Sequence, residues 1–295
     1  MQTLSEIRAF LSAAGLKPKR SMGQNFLIDA NLMAVLLATA ELGGDETVLE
    51  VGAATGSLTE DLLAAAGRVV AVERDDRLAG ILKRRLGTRE NLMIIRADIL
   101  AGKHALAAAV LAALGGNRRV HLVANLPYGA AMPVVLNALL ASWGAARAQA
   151  DVGFERLTFT IQRELAQRLT APPGGSDYGP ARILVACLAR ATLGRVIAPG
   201  AFWPRPKVHS QIVRLDFDPS AAAALADAKT LSAVLAATFN QRRKKIAATA
   251  RLKGLPFAPE RFLAGLERAG IDPDARPQQV PAPAFRDLAN ALAGG

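Results

Sequence analysis

From about residue 29 to residue 215 the chain alternates short apolar runs with amphipathic, helix-like stretches, and this alternation limits the fold more than any other feature. The runs "TVLEV" (47–51), "RVVAVE" (68–73), "NLMIIRAD" (91–98) and "RVHLVAN" (119–125) read as strands. "NLMAVLLATAEL" precedes them as a helix, and "GSLTEDLLAAAG", "RLAGILKRRL" and "HALAAAVLAALGG" separate them as helices, the first with Ser57 as its expected N-cap. Strands joined by helices at this spacing imply an α/β fold with a parallel sheet covered on both faces. A helix is expected at 131–141, a strand at "RLTFTI" (156–161), a loop at "APPGGSDYGP" (171–180) and a late antiparallel strand at "QIVRLDF". After "DFDPS" (216–220) strand patterns stop and helical ones continue. The expected domains are 1–217, α/β, and 218–295, smaller and all-α.

The formal net charge is +11. Such an excess favours a polyanionic partner, through phosphate neutralisation and counterion release, without separating RNA, DNA and an acidic membrane surface. Cys187 is the single cysteine, which excludes an internal disulfide and fits a reducing compartment. His104, His121 and His209 are scattered, and no Cys/His spacing suggests a metal site. The first residues lack the order of a secretory signal, and no apolar run has the ~18–20 residues a membrane helix needs. A cytoplasmic protein without metal or membrane contact is expected.

"VLEVGAATGSLTE" reads as strand, tight loop and helix. Gly52 and Gly56 let backbone approach a ligand, and the helix N-terminus offers free N–H groups. Glu73 ends the next strand, where a carboxylate can hold ribose hydroxyls. Gly52-Ala53-Ala54-Thr55-Gly56 is not the G-x-G-x-x-G of dinucleotide sites, which argues against a nicotinamide oxidoreductase. Asp98 adds a carboxylate at the same edge, suited to a purine amino group. A nucleoside without phosphates, S-adenosylmethionine, fits this set.

The stretch "RVHLVANLPYGAAMP" ends its apolar run at Asn125, followed by Leu126, Pro127 and Tyr128. If this strand lies beside "TVLEV", Asn125 emerges at the reactive end of the cofactor, where open α/β sheets bind their ligands. An adenine amino group is a poor nucleophile because its lone pair is delocalised into the ring. The Asn125 side-chain oxygen and the Leu126 carbonyl can accept its N–H groups and aim the lone pair at a methyl group. Pro127 fixes the local backbone, and Tyr128 offers a face to a flipped base, worth ~1–3 kcal/mol. No cysteine adjoins Pro127, which argues against covalent methylation of a pyrimidine carbon.

Taken together, "SMGQNFLID" (21–29), "VLEVG…TGSLTE" (48–60), "VVAVERD" (69–75), "RADIL" (96–100), "NLPY" (125–128), "AFWPRPKVHSQIVRL" (201–215) and "FNQRRKK" (239–245) resemble the ribosomal RNA adenine N6,N6-dimethyltransferases, in particular the small-subunit branch. The resemblance implies a Rossmann-like, seven-stranded class I methyltransferase sheet with a C-terminal helical domain. It implies S-adenosylmethionine as cofactor and two adjacent adenosines near the 3′ end of small-subunit rRNA, in an immature subunit, as substrate. It also implies that Asn25, Leu27, Gly52, Glu73, Asp98 and Asn125 bind the cofactor. Asn125, Leu126, Pro127 and Tyr128 then surround the target base, with Phe202 as second stacking aromatic. A monomer is expected. The chain departs from the family at Ala53 and Ala54, usually proline and glycine, and at Gly129, usually asparagine. A positive φ at Ala54 would cost ~1–2 kcal/mol.

Arg242, Arg243, Lys244 and Lys245 stand in a row that reads as helical, and Lys17, Lys19 and Arg20 of "KPKR" form a second basic group. At ~100° per residue four consecutive charges on a helix cannot all face one partner. The resemblance favours contacts with rRNA phosphates, made by charge and RNA shape. Two other readings remain open: a small-subunit assembly factor that has lost catalysis, and the antibiotic-resistance branch that dimethylates large-subunit rRNA.

Overall fold

The computed structural model describes residues 1–19, 23–102 and 105–294; Arg20 of the basic "KPKR" group and His104 lie outside the described residues. The chain divides into two compact units, Met1–Ala166 with Thr192–Phe217, and Gln167–Ala191 with Asp218–Gly295.

The first unit opens with α1 (Leu4–Ala13), started by a capping box between Thr3 and Glu6. A short β1 (Phe26–Leu27) and α2 (Ala30–Ala40) follow. Then come β2 (Thr47–Val51), α3 (Ser57–Ala65), β3 (Arg68–Glu73), α4 (Asp76–Leu86), β4 (Leu92–Arg96), α5 (Ala108–Leu114), β5 (Val120–Asn125), α6 (Ala131–Ala146), β6 (Phe154–Gln162) and α7 (Arg163–Arg168). After the excursion into the second unit the chain returns through β7 (Ala189–Ile197), β8 (Phe202–Trp203) and β9 (Ser210–Phe217). The seven-stranded sheet has the order β4-β3-β2-β5-β6-β9-β7, and β1 pairs antiparallel with β8 in a separate two-stranded ribbon. Strands β2 to β6 run parallel to one another, whereas β9 runs antiparallel to β6, as its position after the alternating region led one to expect.

Apolar residues explain this order. Every residue of β2 is buried, because helices cover both faces of the central strands. Leu36 of α2, Leu62 of α3 and Leu82 of α4 are fully covered within one apolar cluster, each such burial contributing ~1.5–3 kcal/mol. The chain reverses direction across the sheet at β2: β3 and β4 extend to one side, β5 and β6 to the other. The ladder Thr47↔Val120 to Leu49↔Leu122 joins the two halves.

The sequence reading is corrected at two elements of this unit. Helix α3 takes Gly56, not Ser57, as N-cap; Gly56 has φ +85°, and the Ser57 hydroxyl instead accepts the Gln2 amide at 3.1 Å. Strand β7 has no counterpart in the sequence reading. Its apolar residues continue the pattern of the preceding helix without a break, so no local signal marks the change at Ala189.

The second unit is helical. It comprises α8 (Pro180–Leu188), α9 (Pro219–Ala223), α10 (Ala228–Phe239), α11 (Pro259–Arg268) and α12 (Ala282–Ala293). Helix α12 packs on α8, α10 and α11. Phe285 of α12 is fully buried, with its ring centroid 5.8 Å from that of Phe239. Tyr178, in the loop before α8, is buried and donates its hydroxyl to the Val280 carbonyl at 2.9 Å. Residues 167–191 therefore group with the helical unit, although the sequence reading kept everything before 218 in the sheet domain. The apolar face of α8 could serve either unit by its pattern alone. Among the described residues, no helix is long and apolar enough to cross a membrane.

Gly56 offers a stringent check on the loop after β2. A Cβ there would lie 2.6 Å from Leu82 Cδ1 and 3.0 Å from Leu86 Cδ1. Strain at a positive φ and overpacking against α4 each cost about 1–2 kcal/mol or more. Gly56→Ala is expected to shift the urea midpoint downward by the equivalent of at least about 2 kcal/mol; an unchanged midpoint would mean the loop accommodates the methyl group.

Candidate functional site

At the carboxyl ends of β2, β3, β4 and β5 the first unit holds a cavity of about 510 Å³. That is the size of a nucleoside site rather than a water pocket, given that ligand sites run from ~300 to ~1,000 Å³. Of the sequence-expected residues, Asn25, Leu27, Gly52, Glu73, Asp98, Asn125 and Pro127 all line it. Two of the strands that carry them, β2 and β5, are direct neighbours, so Asn125 emerges beside the loop that carries Gly52.

The loop after β2 is bound to the edge of β3. Gly52 and Ala53 amides donate to the Val72 carbonyl, and the Ala54 amide donates to Glu73 Oε2 at 2.8 Å. Gly52 has φ +77°, and a Cβ there would press on Pro127 Cγ at 3.3 Å. Glycine at this position thus serves the approach of the loop after β2 to the loop after β5. Ala54 has φ +51°, the left-handed conformation that alanine tolerates poorly.

Glu73 is buried, and its two oxygens accept the backbone amides of Ala54 and Asp75. Burial raises its pKa above the ordinary carboxylate range, against the lowering effect of those amides. Each oxygen keeps a second lone pair able to accept a hydroxyl. Asp75 is the N-cap of α4, and the Lys19 ammonium meets its Oδ2 at 2.7 Å. Burial alone would raise Asp75, but Lys19 and the Arg77 and Leu78 amides hold it below its usual value. Lys19, expected to face RNA, is thereby engaged beside the cavity instead. Asp98 lies at the rim, half exposed, with Oδ2 3.1 Å from Arg74 Nη1 and Oδ1 accepting the Leu100 amide.

Asn125 is held at both ends of its carboxamide. Its Nδ2 donates to the Asn25 carbonyl at 2.8 Å, and its Oδ1 accepts the Thr160 hydroxyl. A carbonyl can only accept, so the amino group must face Asn25 and the oxygen must face Thr160. One lone pair of Oδ1 is therefore spent on Thr160 and one remains. Asn25 contributes its backbone to this chain of bonds, while its side chain donates to the Gly23 carbonyl. Thr160 went unrecognised in the sequence. It sits opposite Asn125 in the β5–β6 register, and its signal was faint: polar Thr158 and Thr160 alternating on one side of a buried strand.

Leu126 is buried and does not line the cavity, though no hydrogen bond reaches its carbonyl among the described residues. Tyr128 is half-buried, with its hydroxyl 2.8 Å from the buried Ser210 hydroxyl; burial raises its pKa. Ser210, a second residue the sequence did not flag, fixes the direction of that ring. Phe202 departs from expectation. It is 2% exposed and belongs to the apolar cluster of Leu27 and Ile212, so it presents no face to a base in this structure. Its neighbour Trp203 is partly exposed, with the Arg8 guanidinium 5.2 Å from its ring centroid. The two-residue pairing of β8 with β1 turns Phe202 toward the core opposite Leu27. Gly129 lines the cavity, and a Cβ there would meet nothing within 4 Å.

Glu50 of β2 also lines the cavity and was not anticipated. It is 2% exposed and accepts the Thr59 hydroxyl at 2.6 Å. Burial pushes its pKa up to about 8.

The basic row differs from expectation as well. Helix α10 stops at Phe239, and residues 240–244 form a turn, because the buried Ile246 is drawn inward with its amide on the Ala275 carbonyl at 2.7 Å. Arg242 turns inward and donates to the Gly175 and Ser176 carbonyls and to Gln278. Lys245 pairs with Asp274 at 2.9 Å. Arg243, Lys244 and, in the first unit, Lys17 are exposed.

Comparison with known proteins gives a consistent picture. The family described as "Ribosomal RNA adenine dimethylase" matches residues 15–293. The chain is 35% identical over 292 residues to "Ribosomal RNA small subunit methyltransferase A" of Phenylobacterium zucineum, covering 99% of this chain and 94% of that one. Among solved structures it is similar to a dimethyladenosine transferase from Plasmodium falciparum, with TM-score 0.69, 23% identity and coverage of 89% and 95%, a likeness of fold. It is also similar to the 23S rRNA methyltransferase ErmE, with TM-score 0.61, 26% identity and coverage of 91% and 99%.

The strained Ala54 gives a direct test of the loop geometry. Replacing it with glycine removes a penalty of ~1–2 kcal/mol and adds a smaller unfolded-state entropy cost. Ala54→Gly is expected to raise the unfolding free energy by about 1 kcal/mol in urea titration; a loss of stability would contradict the left-handed assignment.

Proposed function

This chain belongs to the ribosomal RNA adenine dimethylase family, and from that premise we propose that it transfers methyl groups from S-adenosylmethionine to the N6 atoms of two adjacent adenosines near the 3′ end of small-subunit rRNA, in an immature subunit in the cytoplasm. The observation that carries the reading is the carboxamide of Asn125, fixed between the Asn25 carbonyl and the Thr160 hydroxyl at the wall of a nucleoside-sized cavity. Small-subunit relatives matching nearly end to end favour that branch over the large-subunit one.

The cavity residues fit the cofactor. Glu73 has lone pairs for two ribose hydroxyls, Asp98 an acceptor at the rim for an adenine amino group, and Ile99 and Leu100 an apolar wall beside it. Gly52 and Leu27 complete the lining near Asn125. The cofactor supplies a methyl group on a positively charged sulfur.

This chain's residues then do three things. The remaining Asn125 Oδ1 lone pair and the unpaired Leu126 carbonyl accept the two N–H groups of the target amine, which turns its lone pair outward. Pro127 holds the Leu126 carbonyl by restricting its neighbour's backbone. Tyr128, steadied by Ser210, stacks on the extruded base. Aligning donor and acceptor in this way can supply ~7–11 kcal/mol of the barrier. No general base is required, because the amine loses its proton after the methyl group has arrived. Outside the cavity, Arg243, Lys244 and Lys17 are free to contact phosphates, whereas Arg242, Lys245 and Lys19 serve mainly to hold the protein's own loops.

Two measurements test this. Asn125→Ala is expected to lower methyl transfer to unmethylated small subunits by about 10²–10³-fold, as loss of a transition-state hydrogen-bond group does, when RNA nucleosides are quantified by mass spectrometry. RNA affinity should stay within about twofold; equal loss of both would remove Asn125 from the chemistry. Arg243→Ala with Lys244→Ala should flatten the salt dependence of RNA binding by roughly 1.5 in log–log slope. The matching Arg242→Ala change should act through stability, read by thermal unfolding, more than through salt dependence.

A further inference from the structure

Gln2 is a buried polar side chain that the proposed chemistry does not use; it is 3% exposed. Its Nε2 donates to the Thr55 carbonyl at 2.9 Å, and its Oε1 accepts the Thr55 hydroxyl at 2.7 Å. A second donor, Arg85 Nη1 of α4, reaches the same carbonyl. The Gln2 amide donates to the Ser57 hydroxyl. Thr55 is fully buried and lines the cavity, whereas among the described residues none before Gly23 does. Gln2 therefore bears on the cavity only through the loop after β2.

That loop carries strain at the residue next to the one Gln2 holds. Ala54 has φ +51°, and Gly56 on the other side of Thr55 has φ +85°. A left-handed alanine relaxes toward negative φ unless its neighbours are fixed, and relaxation would swing the Thr55 peptide out of place. Two donors on the Thr55 carbonyl and one acceptor on its hydroxyl oppose that swing. The Ala54 side chain also packs against the apolar cluster that contains Ile7 and Leu11 of α1 with Leu78 and Ile81 of α4. Phe10 of α1 lies against Arg85, with the guanidinium 4.7 Å from its ring centroid. One segment, from Gln2 to Leu11, thus supplies both the bonds that hold Thr55 and part of the surface that receives the Ala54 methyl group.

We propose that Gln2 is a positioning residue of the donor site: by holding Thr55 it keeps the loop after β2 in its left-handed turn at Ala54, the conformation that shapes the cavity. The inference rests on the donor-binding reading above and deepens it. It gives α1 a role as a brace, and it accounts for an alanine standing where a positive φ favours glycine. The strain of a left-handed alanine corresponds to about a tenfold shift in the loop's equilibrium. Without the brace the loop relaxes by about that factor, and the donor must restore the turn as it binds, which lowers its apparent affinity.

The test is isothermal titration calorimetry of the full chain with S-adenosylmethionine, for the wild type, Gln2→Met, Ala54→Gly and the double variant. Methionine keeps the length of the Gln2 side chain but makes neither bond to Thr55. Q2M should weaken donor binding about tenfold beside Ala54, and less than about threefold in the A54G background, where no strain is left for the brace to resist. Arg85→Met, which removes the other donor to the Thr55 carbonyl, is titrated in the same two backgrounds and should show the same suppression, so a poorly folded Q2M does not leave the question open. Thr3→Ala is the control for stability alone. It removes the capping box that starts α1 and should lower the urea midpoint while donor affinity stays within about twofold. Unchanged donor affinity in Q2M and R85M, losses of equal size in both backgrounds, or a loss in T3A as large as in Q2M would each overturn the brace while leaving donor binding intact. Absence of binding heat with the wild type overturns the donor-binding reading, and the inference with it.

Discussion

The pairing of β2 with β5 is the constraint on which the site depends. These strands are distant in sequence, and between them the chain has already built two strands on the far side of β2. Their parallel ladder puts two carboxyl-terminal loops next to each other with nothing crossing between them. One loop carries Gly52 and the strained Ala54; the other carries Asn125 and Pro127. The missing side chain of Gly52 is filled by the Pro127 ring, so the loops lock together rather than splay. The cavity exists because strand order reverses at this point.

Charge is distributed to match. The cavity wall is acidic, with Glu50, Glu73 and Asp98, although the chain as a whole carries a net charge of +11. An acidic interior under a basic exterior suits a cationic small ligand inside and a polyanion outside. The same arrangement explains why several basic residues are not free for a partner. Lys19 neutralises Asp75, whose carboxylate caps α4, and Arg242 binds the Gly175 and Ser176 loop carbonyls. A basic residue in sequence counts toward net charge wherever it points, but only its tertiary neighbours decide whether it is available.

The central strands were legible because burial on both faces leaves uninterrupted apolar runs, and "TVLEV" and "RVHLVAN" are such runs. The ends of those strands were legible too, since Glu73, Asp98 and Asn125 are polar residues placed where an apolar run stops. Elements decided by small local differences were not legible. Ser57 looks like an N-cap by residue type, yet the positive φ at position 56 gives that place to glycine. The row Arg242–Lys245 looks helical, yet the burial of Ile246 ends the helix before it. Phe202 reads as a stacking face by its motif, but a two-residue strand pairing rotates it into the core.

By itself the sequence determined the α/β class, the acidic strand ends, the absence of a dinucleotide fingerprint and the resemblance to the adenine dimethyltransferases. Each is written in residue type and local spacing, which short-range sterics and hydrophobic periodicity translate directly. Only the tertiary structure decided that Thr160 and the Asn25 carbonyl fix the Asn125 carboxamide, that Ser210 steadies Tyr128, that Glu50 faces the cavity, and that residues 167–191 join the helical unit. Those facts depend on hydrogen bonds and packing between segments far apart in the chain, and a partner 100 residues away leaves no mark on the residues beside it.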